Sequence, residues 1–238
     1  DKIFTISKYH RDYLWLYQNA RKDSMYITDL GITVSDYPMT EKVKGKMIFC
    51  SVPERGLEYA LDFFKDVKAR IPHATLVVTS DHRLWGVPYT GVSDLLMHVA
   101  KNADGVTYLG KIPRSELIQH QLSSEIMFYP CVYDENFCIS AAECQMAGAI
   151  PVTTNIGALG TTVQDHHTGI VLDLLPHDTG YRRRFVEEVV NLLNDEVRQQ
   201  TLRESGRRRA ERDFSWSVIA HKWIDQFEKI RKEKHATR

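Results

Sequence analysis

The chain has 238 residues, of which 43% are hydrophobic and 26% charged, and its formal net charge is zero. These values are ordinary for a globular protein, and the length allows one sizeable α/β domain or two small ones. A neutral chain gives no electrostatic signal for nucleic acid as a partner, and no apolar run reaches the roughly 20 residues that cross a bilayer.

The first 34 residues predict a strand, a helix and a second strand. Ile3–Ile6 and Met25–Thr28 are short apolar runs, and the helix between them begins at Ser7, a favourable N-cap, and ends near Arg21. Trp15 is interpreted as helix core and not as a platform for a sugar. The other residues of the predicted buried face are Tyr9, Tyr13, Leu14, Leu16 and Tyr17.

After a polar loop or linker over residues 35–46, short apolar strands alternate with helices. This pattern predicts an α/β fold with a Rossmann-like parallel sheet covered by helices on both faces. The strands are expected at 46–50, 74–79, 106–109, 126–129, 150–153 and 169–172. The helices are expected at 56–70, 93–101, 114–123, 140–147, 181–194, 196–212 and 217–232. The division would be an N-terminal strand–helix segment (1–34), a sheet domain (45–216) and a C-terminal helix (217–238).

Several conspicuous features do not indicate chemistry. The four cysteines form no C-x-x-C pair, so we expect reduced thiols and no metal in a cytoplasmic protein, with peripheral attachment to a membrane left open. Neither G-x-G-x-x-G nor a Walker sequence is present, which disfavours dehydrogenases and P-loop proteins. The arginine triplets at 182–184 and 207–209 are interpreted as solvated helix faces, and His166-His167 as a surface pair.

One strand–loop–helix segment carries the candidate chemistry. An apolar run ends at Pro130, the loop after it carries Glu135 and Phe137, and the predicted helix carries Glu143. Open α/β sheets bind ligands at the carboxyl ends of their strands, and the free N–H groups at a helix start suit a phosphate. Two carboxylates beside such a turn fit a ligand that is both phosphorylated and rich in hydroxyls, such as a nucleotide sugar.

The region from Met47 to Asp165 resembles the carboxyl-terminal, nucleotide-sugar-binding domain of GT-B-fold retaining glycosyltransferases, the glycosyl transferases of group 1. The resemblance depends on the eight-residue step from Glu135 to Glu143, on Tyr129-Pro130 before it and on the stretch from Ala147 to Val152 after it. Phe214-Ser215-Trp216, ahead of the last helix, is also similar to the family.

The resemblance implies transfer of a hexosyl or deoxyhexosyl group from a UDP-, GDP- or dTDP-sugar to a glycan, lipid or other acceptor. The configuration at the anomeric carbon would be retained. No cofactor and no obligatory metal are implied, and no Asp-x-Asp metal-binding signature is found in the sequence. The resemblance further implies an acceptor domain, which we expect in the same parent chain because the sequence begins at Asp1 without Met and is short for such an enzyme.

The resemblance also implies roles for individual residues. Arg55 would bind the diphosphate and stabilise charge on the leaving group, Glu135 would bind hydroxyls of the donor sugar, and Glu143 would accept hydrogen bonds from the ribose. Arg55 and Glu135 are therefore the candidate catalytic residues. The remaining candidate donor-binding residues are Ser51, Val52 and Pro53, the base-side residues Gly110, Lys111, Ile112 and Leu117, and Asn136, Phe137, Cys138 and Ile139 around the diphosphate.

Two departures and two alternatives stay open. Cys50 stands where many relatives carry a second basic residue, and Asn136 and Cys138 replace glycines, which leaves the phosphate-binding backbone less permissive. A non-catalytic nucleotide-sugar-binding module would share every donor feature. A GT-B-type epimerase or phosphorylase would share the sheet.

Overall fold

The structure is a computed structural model that describes residues 2–86 and 91–236, so the predicted bounds at residues 1, 237 and 238 lie outside it. The described residues contain a six-stranded parallel sheet with strand order β5-β4-β3-β6-β7-β8. Its strands are β3 (Lys46–Phe49), β4 (Thr75–Val78), β5 (Val106–Tyr108), β6 (Ile126–Tyr129), β7 (Ile150–Thr154) and β8 (Ile170–Leu172).

Helices cover the sheet on both faces, because α2 packs against α7 while α5 packs against α4 and α8. The helices of this region are α2 (Leu57–Arg70), α3 (Gly91–Asn102), α4 (Arg114–Ser123), α5 (Ile139–Ala147), α6 (Leu159–Thr162), α7 (Tyr181–Asn194), α8 (Glu196–Phe214) and α9 (Trp216–Ala236). The predicted fold class is thus confirmed. The short α6 was not predicted, since four residues carry too little periodicity to be read from sequence.

The strand order places a switch point between β3 and β6. From β3 the chain builds outward through β4 and β5, and it then returns to add β6 on the other side of β3. All residues of β6 and β7 are buried, as expected for central strands covered on both faces. Open α/β sheets have their ligand-binding crevice at such a switch point, and the loops that leave β3 and β6 border it at the carboxyl edge of the sheet.

In the N-terminal segment, β1 (Ile3–Thr5) pairs in parallel with β2 (Met25–Ile27) in a two-stranded sheet, and α1 (Lys8–Gln18) connects the two strands. Ser7 caps α1 as predicted, accepting a hydrogen bond from the backbone N–H of His10 at 2.9 Å. The predicted buried face of α1 is wrong.

None of the residues of α1 is buried, and Tyr13, Trp15 and Tyr17 are 41%, 44% and 69% exposed. The reason is that two three-residue strands offer too little surface to cover an 11-residue helix. The tyrosines instead contact one another along α1 in tilted pairs, with the ring centroids of Tyr13 and Tyr17 4.9 Å apart.

The N-terminal segment joins the sheet domain beside the junction of α8 and α9. The N–H of Ile32 donates to the carbonyl of Phe214 at 2.7 Å, and the N–H of Trp216 donates to the carbonyl of Ile32 at 3.1 Å. Gly31 lies under the Trp216 indole, where a Cβ would come within 2.2 Å of the ring. The family-like Phe214-Ser215-Trp216 sequence therefore binds the segment around Ile32, where the chain passes from the two-stranded sheet to the six-stranded sheet.

Two residues of the second arginine triplet are not solvated, contrary to the prediction, whereas Arg208 between them is exposed as predicted. Arg209 is only 9% exposed and donates to the carbonyls of Thr161 and Thr162, while Arg207 donates to the carbonyl of Met146 at 2.8 Å. These carbonyls lie in the last turns of α5 and α6, where C=O groups have no N–H partner within their own helix. By contrast, Arg182 in the first triplet is an exposed partner of Asp62 and Asp66.

Lys42 closes the amino-terminal edge of the sheet, opposite the crevice. Its Nζ donates to the carbonyls of Leu122 and Ala147 at 2.7 and 2.6 Å, beside a cavity of about 630 Å³. Burial, with the nearby charges of Arg203 and Arg207, lowers the pKa of Lys42 from 10.5 to about 7. A neutral amine still has two N–H groups, one for each carbonyl.

This lowered pKa predicts a pH dependence of stability. The unfolded chain keeps the proton on Lys42 up to about pH 10.5 and the folded chain loses it near pH 7, so rising pH between these values favours folding. Denaturant unfolding should show the wild type gaining up to about 1.4 kcal/mol per pH unit relative to Lys42→Met from pH 7.5 to 9. Lys44→Met, at an exposed lysine, is the control and should run parallel to the wild type. Parallel curves for Lys42→Met as well would show that the amine is not titrating as described.

Among the residues that the structure describes, no helix combines the length and the apolar character needed to span a membrane.

Candidate functional site

Arg55 and Glu135 meet in the crevice at the switch point. The loop after β3 forms a 3₁₀ turn over Pro53–Arg55 and then passes Gly56, whose φ is +121°. A Cβ at Gly56 would lie 2.2 Å from the carbonyl oxygen of Pro130, so only glycine lets this turn approach the loop that follows β6. The approach brings Nη1 of Arg55 to 2.7 Å from Oε1 of Glu135.

Glu135 is buried, at 4% exposure, and has a second partner. The hydroxyl of Tyr129, the last residue of β6, donates to Oε1 of Glu135 at 2.7 Å, and Oγ of Ser51 lies 3.3 Å from that hydroxyl. Burial raises the pKa of Tyr129 well above its usual value, so its hydroxyl keeps its proton and remains a donor. Sequence reasoning quoted Tyr129 as part of the motif but assigned it no function.

Arg55 is held over an aromatic ring as well as against a carboxylate. Its guanidinium lies 4.6 Å from the ring centroid of Tyr133, and its side chain is 23% exposed. Burial works against the charge, but the charge of Glu135 and smaller contributions from neighbouring groups such as Tyr129 together outweigh it, and the pKa of Arg55 is raised. The arginine is therefore a permanent cation at the mouth of the crevice, with N–H donors in a fork that matches phosphate oxygens.

The loop that carries Glu135 is backed by the next loop of the sheet. The N–H of Ala158 donates to the carbonyl of Glu135 at 2.7 Å, and a Cβ at Gly157 would lie 2.5 Å from the backbone N and O of Glu135. These contacts leave the loop little freedom to move away from Arg55, so the carboxylate is preorganised.

The start of α5 offers backbone donors beside this loop. Within the part of the chain that the structure describes, no acceptor is found for the N–H groups of Ile139 and Ser140. Cys138, the N-cap, has a φ of +66°, a left-handed conformation that costs a non-glycine residue energy. The Phe137 side chain is buried against Phe214, with ring centroids 5.3 Å apart, so only its backbone is available to a ligand.

Glu143 lies two turns into α5 in a second polar cluster. It is 5% exposed; Oε1 accepts from Nη1 of Arg114 at 2.8 Å and Oε2 from Nε2 of Gln121 at 3.4 Å. The amide oxygen of Gln121 accepts in turn from the hydroxyl of Tyr37 at 3.2 Å. Glu143 is therefore a buried member of a hydrogen-bonded cluster and not an exposed helix residue.

The two clusters flank the end of β3. Nε2 of Gln121, in the Glu143 cluster, lies 4.0 Å from Sγ of Cys50, and the next residue, Ser51, reaches Tyr129 in the Glu135 cluster. Sγ of Cys50 is also 3.9 Å from Sγ of Cys144 on α5. Arg55, Glu135 and Glu143 thus border adjacent parts of one edge of the sheet.

The thiols around this edge are buried and poorly ionised. Burial raises the pKa of Cys131 to about 12, and contact with Cys50 together with burial raises the pKa of Cys144 well above its usual value. Protonated thiols are weak nucleophiles and weak metal ligands. In residues 2–86 and 91–236 there is no cluster of three or more His, Cys, Asp or Glu side chains that could hold a metal ion.

The other predicted site residues lie in loops along the same edge. Gly110 has a φ of +65°, and a Cβ there would be 3.3 Å from Oδ2 of Asp81. The loops after β4 and β5 therefore lie close together. Lys111 is exposed and Leu117 packs against the core. Val52 and Pro53 are buried, Asn136 is exposed, and Ile112 and Ile139 are partly buried. Their contacts with a ligand stay predictions.

Arg114 and Gln121 were not predicted from the sequence to belong to the site. Arg114 is the first residue of α4, directly after the loop assigned to the base, and a basic side chain there could have been considered. Gln121 shares the buried face of α4 with Ile118 and Leu122. A polar side chain on an otherwise apolar helix face needs a hydrogen-bonding partner, and that was the available signal.

A parallel sheet covered by helices on both faces, with a charged cluster at its switch point, defines a Rossmann-like α/β domain. Residues 44–209 match the sequence model of the family "Glycosyl transferases group 1". The chain therefore belongs to the group 1 glycosyltransferases, a family of enzymes, as its sequence suggested.

Curated relatives agree with this assignment. The chain is 27% identical over 180 residues to the GDP-mannose-dependent alpha-(1-6)-phosphatidylinositol monomannoside mannosyltransferase of Mycobacterium tuberculosis, a match covering 73% of this chain and 44% of that protein. It is 27% identical over 141 residues to the alpha-maltose-1-phosphate synthase of Mycolicibacterium smegmatis, covering 58% and 36%. The matches thus span less than half the length of these relatives.

Solved structures share the fold. Anabaena HepE in complex with UDP-glucose superposes with a TM-score of 0.78 at 13% identity, covering 96% of this chain and 64% of that one. The sucrose-phosphate synthase of Thermosynechococcus elongatus gives a TM-score of 0.75 at 19% identity, covering 100% and 59%.

Proposed function

We propose that the chain is the donor-binding part of a retaining glycosyltransferase that takes a sugar from a nucleoside diphosphate. The observation that carries the proposal is the contact between Arg55 and Glu135, 2.7 Å apart at the switch point, in a chain that matches the group 1 family. Nucleotide-sugar donors are supported by the names of similar proteins, which include a GDP-mannose-dependent enzyme and a UDP-glucose complex.

Arg55 would bind the diphosphate of the donor. A diphosphate brings more negative charge than one carboxylate, so the guanidinium would turn N–H groups towards it while staying near Glu135. As the bond to the sugar breaks, negative charge grows on the departing diphosphate, and a fixed cation stabilises that charge most when water is excluded. The N–H groups of Ile139 and Ser140, at the positive end of the α5 dipole, would share this task.

Glu135 would bind the hydroxyls of the sugar. Its Oε1 is occupied by Arg55 and Tyr129, and a carboxylate has enough lone pairs to accept further hydrogen bonds through Oε2. Glu143 would accept from the ribose. The loops at Ser51–Pro53 and Gly110–Ile112, with Leu117, would complete the diphosphate and base subsites.

The parent protein would include an acceptor domain and act on a glycan, lipid or other acceptor. This proposal is supported by the relatives' greater length and by the one whose name gives phosphatidylinositol monomannoside. Retention at the anomeric carbon and chemistry without an obligatory metal are carried over from the family resemblance, and a cytoplasmic location is carried over from the cysteine pattern.

An assay of the parent protein with radiolabelled UDP-, GDP- and dTDP-sugars tests the proposal. The expected result is transfer to an acceptor or slow hydrolysis of one donor, with the product's anomeric configuration retained by NMR. Tight binding without turnover would instead indicate a binding module, and conversion of the free nucleotide sugar without an acceptor would indicate an epimerase. Absence of binding to all donors would refute the donor site itself.

A further inference from the structure

The buried side of the Glu143 carboxylate is fixed by a chain of hydrogen bonds that reaches into the core. Tyr37 and Gln121 are both 0% exposed, whereas the Arg114 side chain on the other oxygen of Glu143 is 52% exposed. A ligand that enters from solvent would therefore meet Oε1 and Arg114 first. Oε2 would keep its hydrogen bond to Gln121 and would still have a second lone pair for the ligand.

The donor and the acceptor of each hydrogen bond from Tyr37 through Gln121 to Glu143 follow from the groups involved. Burial, with the charge of Glu143, raises the pKa of Tyr37, so its hydroxyl keeps a proton to donate to the amide oxygen of Gln121. With its oxygen engaged, Gln121 turns its NH₂ group towards Oε2 of Glu143. Because an amide NH₂ can only donate, its partner Oε2 of Glu143 is the hydrogen-bond acceptor and is held on the buried side.

Tyr37 itself is held on several sides. Its N–H donates to the carbonyl of Val34 at 3.1 Å, and its own carbonyl accepts from Arg207. Tyr37 belongs to the cluster of buried residues that also contains Leu122 of α4 and Ala142 of α5. The hydroxyl is thus placed by packing that is independent of any ligand.

We propose that the Tyr37–Gln121–Glu143 chain makes the site select ribonucleotide donors over 2′-deoxyribonucleotide donors, with Gln121 as the positioning residue. The inference rests on the proposed function and narrows it to donors of the UDP or GDP type, excluding dTDP-sugars. An ionised carboxylate held in one rotamer accepts hydrogen bonds from two neighbouring hydroxyls, and a 2′-deoxyribose supplies one fewer. A carboxylate free to rotate would gain less from the second hydroxyl.

The test measures dissociation constants by calorimetry for UDP against dUDP and for GDP against dGDP. Of UDP and GDP, the one that the wild type binds more tightly should bind at least about tenfold more tightly than its 2′-deoxy counterpart. This is the difference in affinity expected for one hydrogen bond to a charged group. In Gln121→Leu the ratio should fall below about threefold, while the affinity for the deoxynucleotide changes little. A purely structural role would lower both affinities and leave their ratio unchanged.

Gln119→Leu is the matched control, since it makes the same change on the exposed side of α4 and should keep the wild-type ratio. Tyr37→Phe removes a single oxygen and should lower the ratio in the same direction, so it carries the test if Gln121→Leu does not fold. Equal wild-type affinities for ribo- and deoxynucleotides would overturn this inference but not the proposed function. An unchanged ratio of the two affinities in a folded Gln121→Leu protein would have the same consequence. If no nucleoside diphosphate binds the wild type, the proposed function fails as well.

Discussion

Arg55→Ala is expected to lower donor turnover by about a hundredfold to a thousandfold, the size seen when one preorganised donor to a developing charge is removed. Donor affinity should fall with it, because the same guanidinium binds the diphosphate before reaction. The measurement is the rate of transfer or hydrolysis of a radiolabelled donor, with the dissociation constant from calorimetry. Arg55→Lys keeps the charge but not the forked geometry, so it should give an intermediate loss.

The matched control for Arg55 is Arg182→Ala. Arg182 also bonds to carboxylates, at 2.6 and 2.7 Å from Asp62 and Asp66, but on the exposed surface between α2 and α7. Its removal should leave turnover and affinity unchanged. A folded Arg55→Ala protein with wild-type donor affinity and rate would remove Arg55 from the site.

Glu143→Gln is expected to weaken nucleotide binding by about tenfold to a hundredfold. The substitution keeps the size of the side chain but replaces one charged acceptor oxygen by an NH₂ group, which cannot accept from the ribose. The affinity for a nucleoside diphosphate should fall as much as that for the nucleotide sugar, since the loss is at the ribose. Calorimetry with both ligands measures this.

Glu187→Gln supplies the comparison for Glu143, because Glu187 is paired with Arg183 in an exposed position of α7. It should bind nucleotides like the wild type. Thermal unfolding verifies that Glu143→Gln is folded. We expect it to fold because the side chain of its partner Arg114 is half exposed and can be hydrated. Unchanged nucleotide affinity in this variant would mean that the ribose is bound elsewhere.

The sheet was predictable because its strands are local apolar runs with sharp ends. β6 and α7 have the bounds that the sequence predicts, and the family motif indicates which loops border the crevice. The contact between Arg55 and Glu135 could be expected only from the resemblance. It depends on Gly56 passing within van der Waals contact of Pro130, a long-range approach with no local signal.

The wrong or missing predictions share a cause. Periodicity shows that α1 has large apolar residues, but burial depends on what lies opposite, and two short strands cannot cover them. Arg209 looks like any surface arginine until α8 is docked against the end of α6. Gln121 and Arg114 join Glu143 only after α4 and α5 are packed side by side, so tertiary contacts decide their roles.

A crystal structure with the nucleoside diphosphate that binds most tightly would test the central claim most directly. The account predicts the diphosphate against the Arg55 guanidinium and the first N–H groups of α5, with the ribose hydroxyls within hydrogen-bonding distance of Glu143. A nucleotide bound at the opposite edge of the sheet, in the cavity beside Lys42, with the crevice empty, would contradict it.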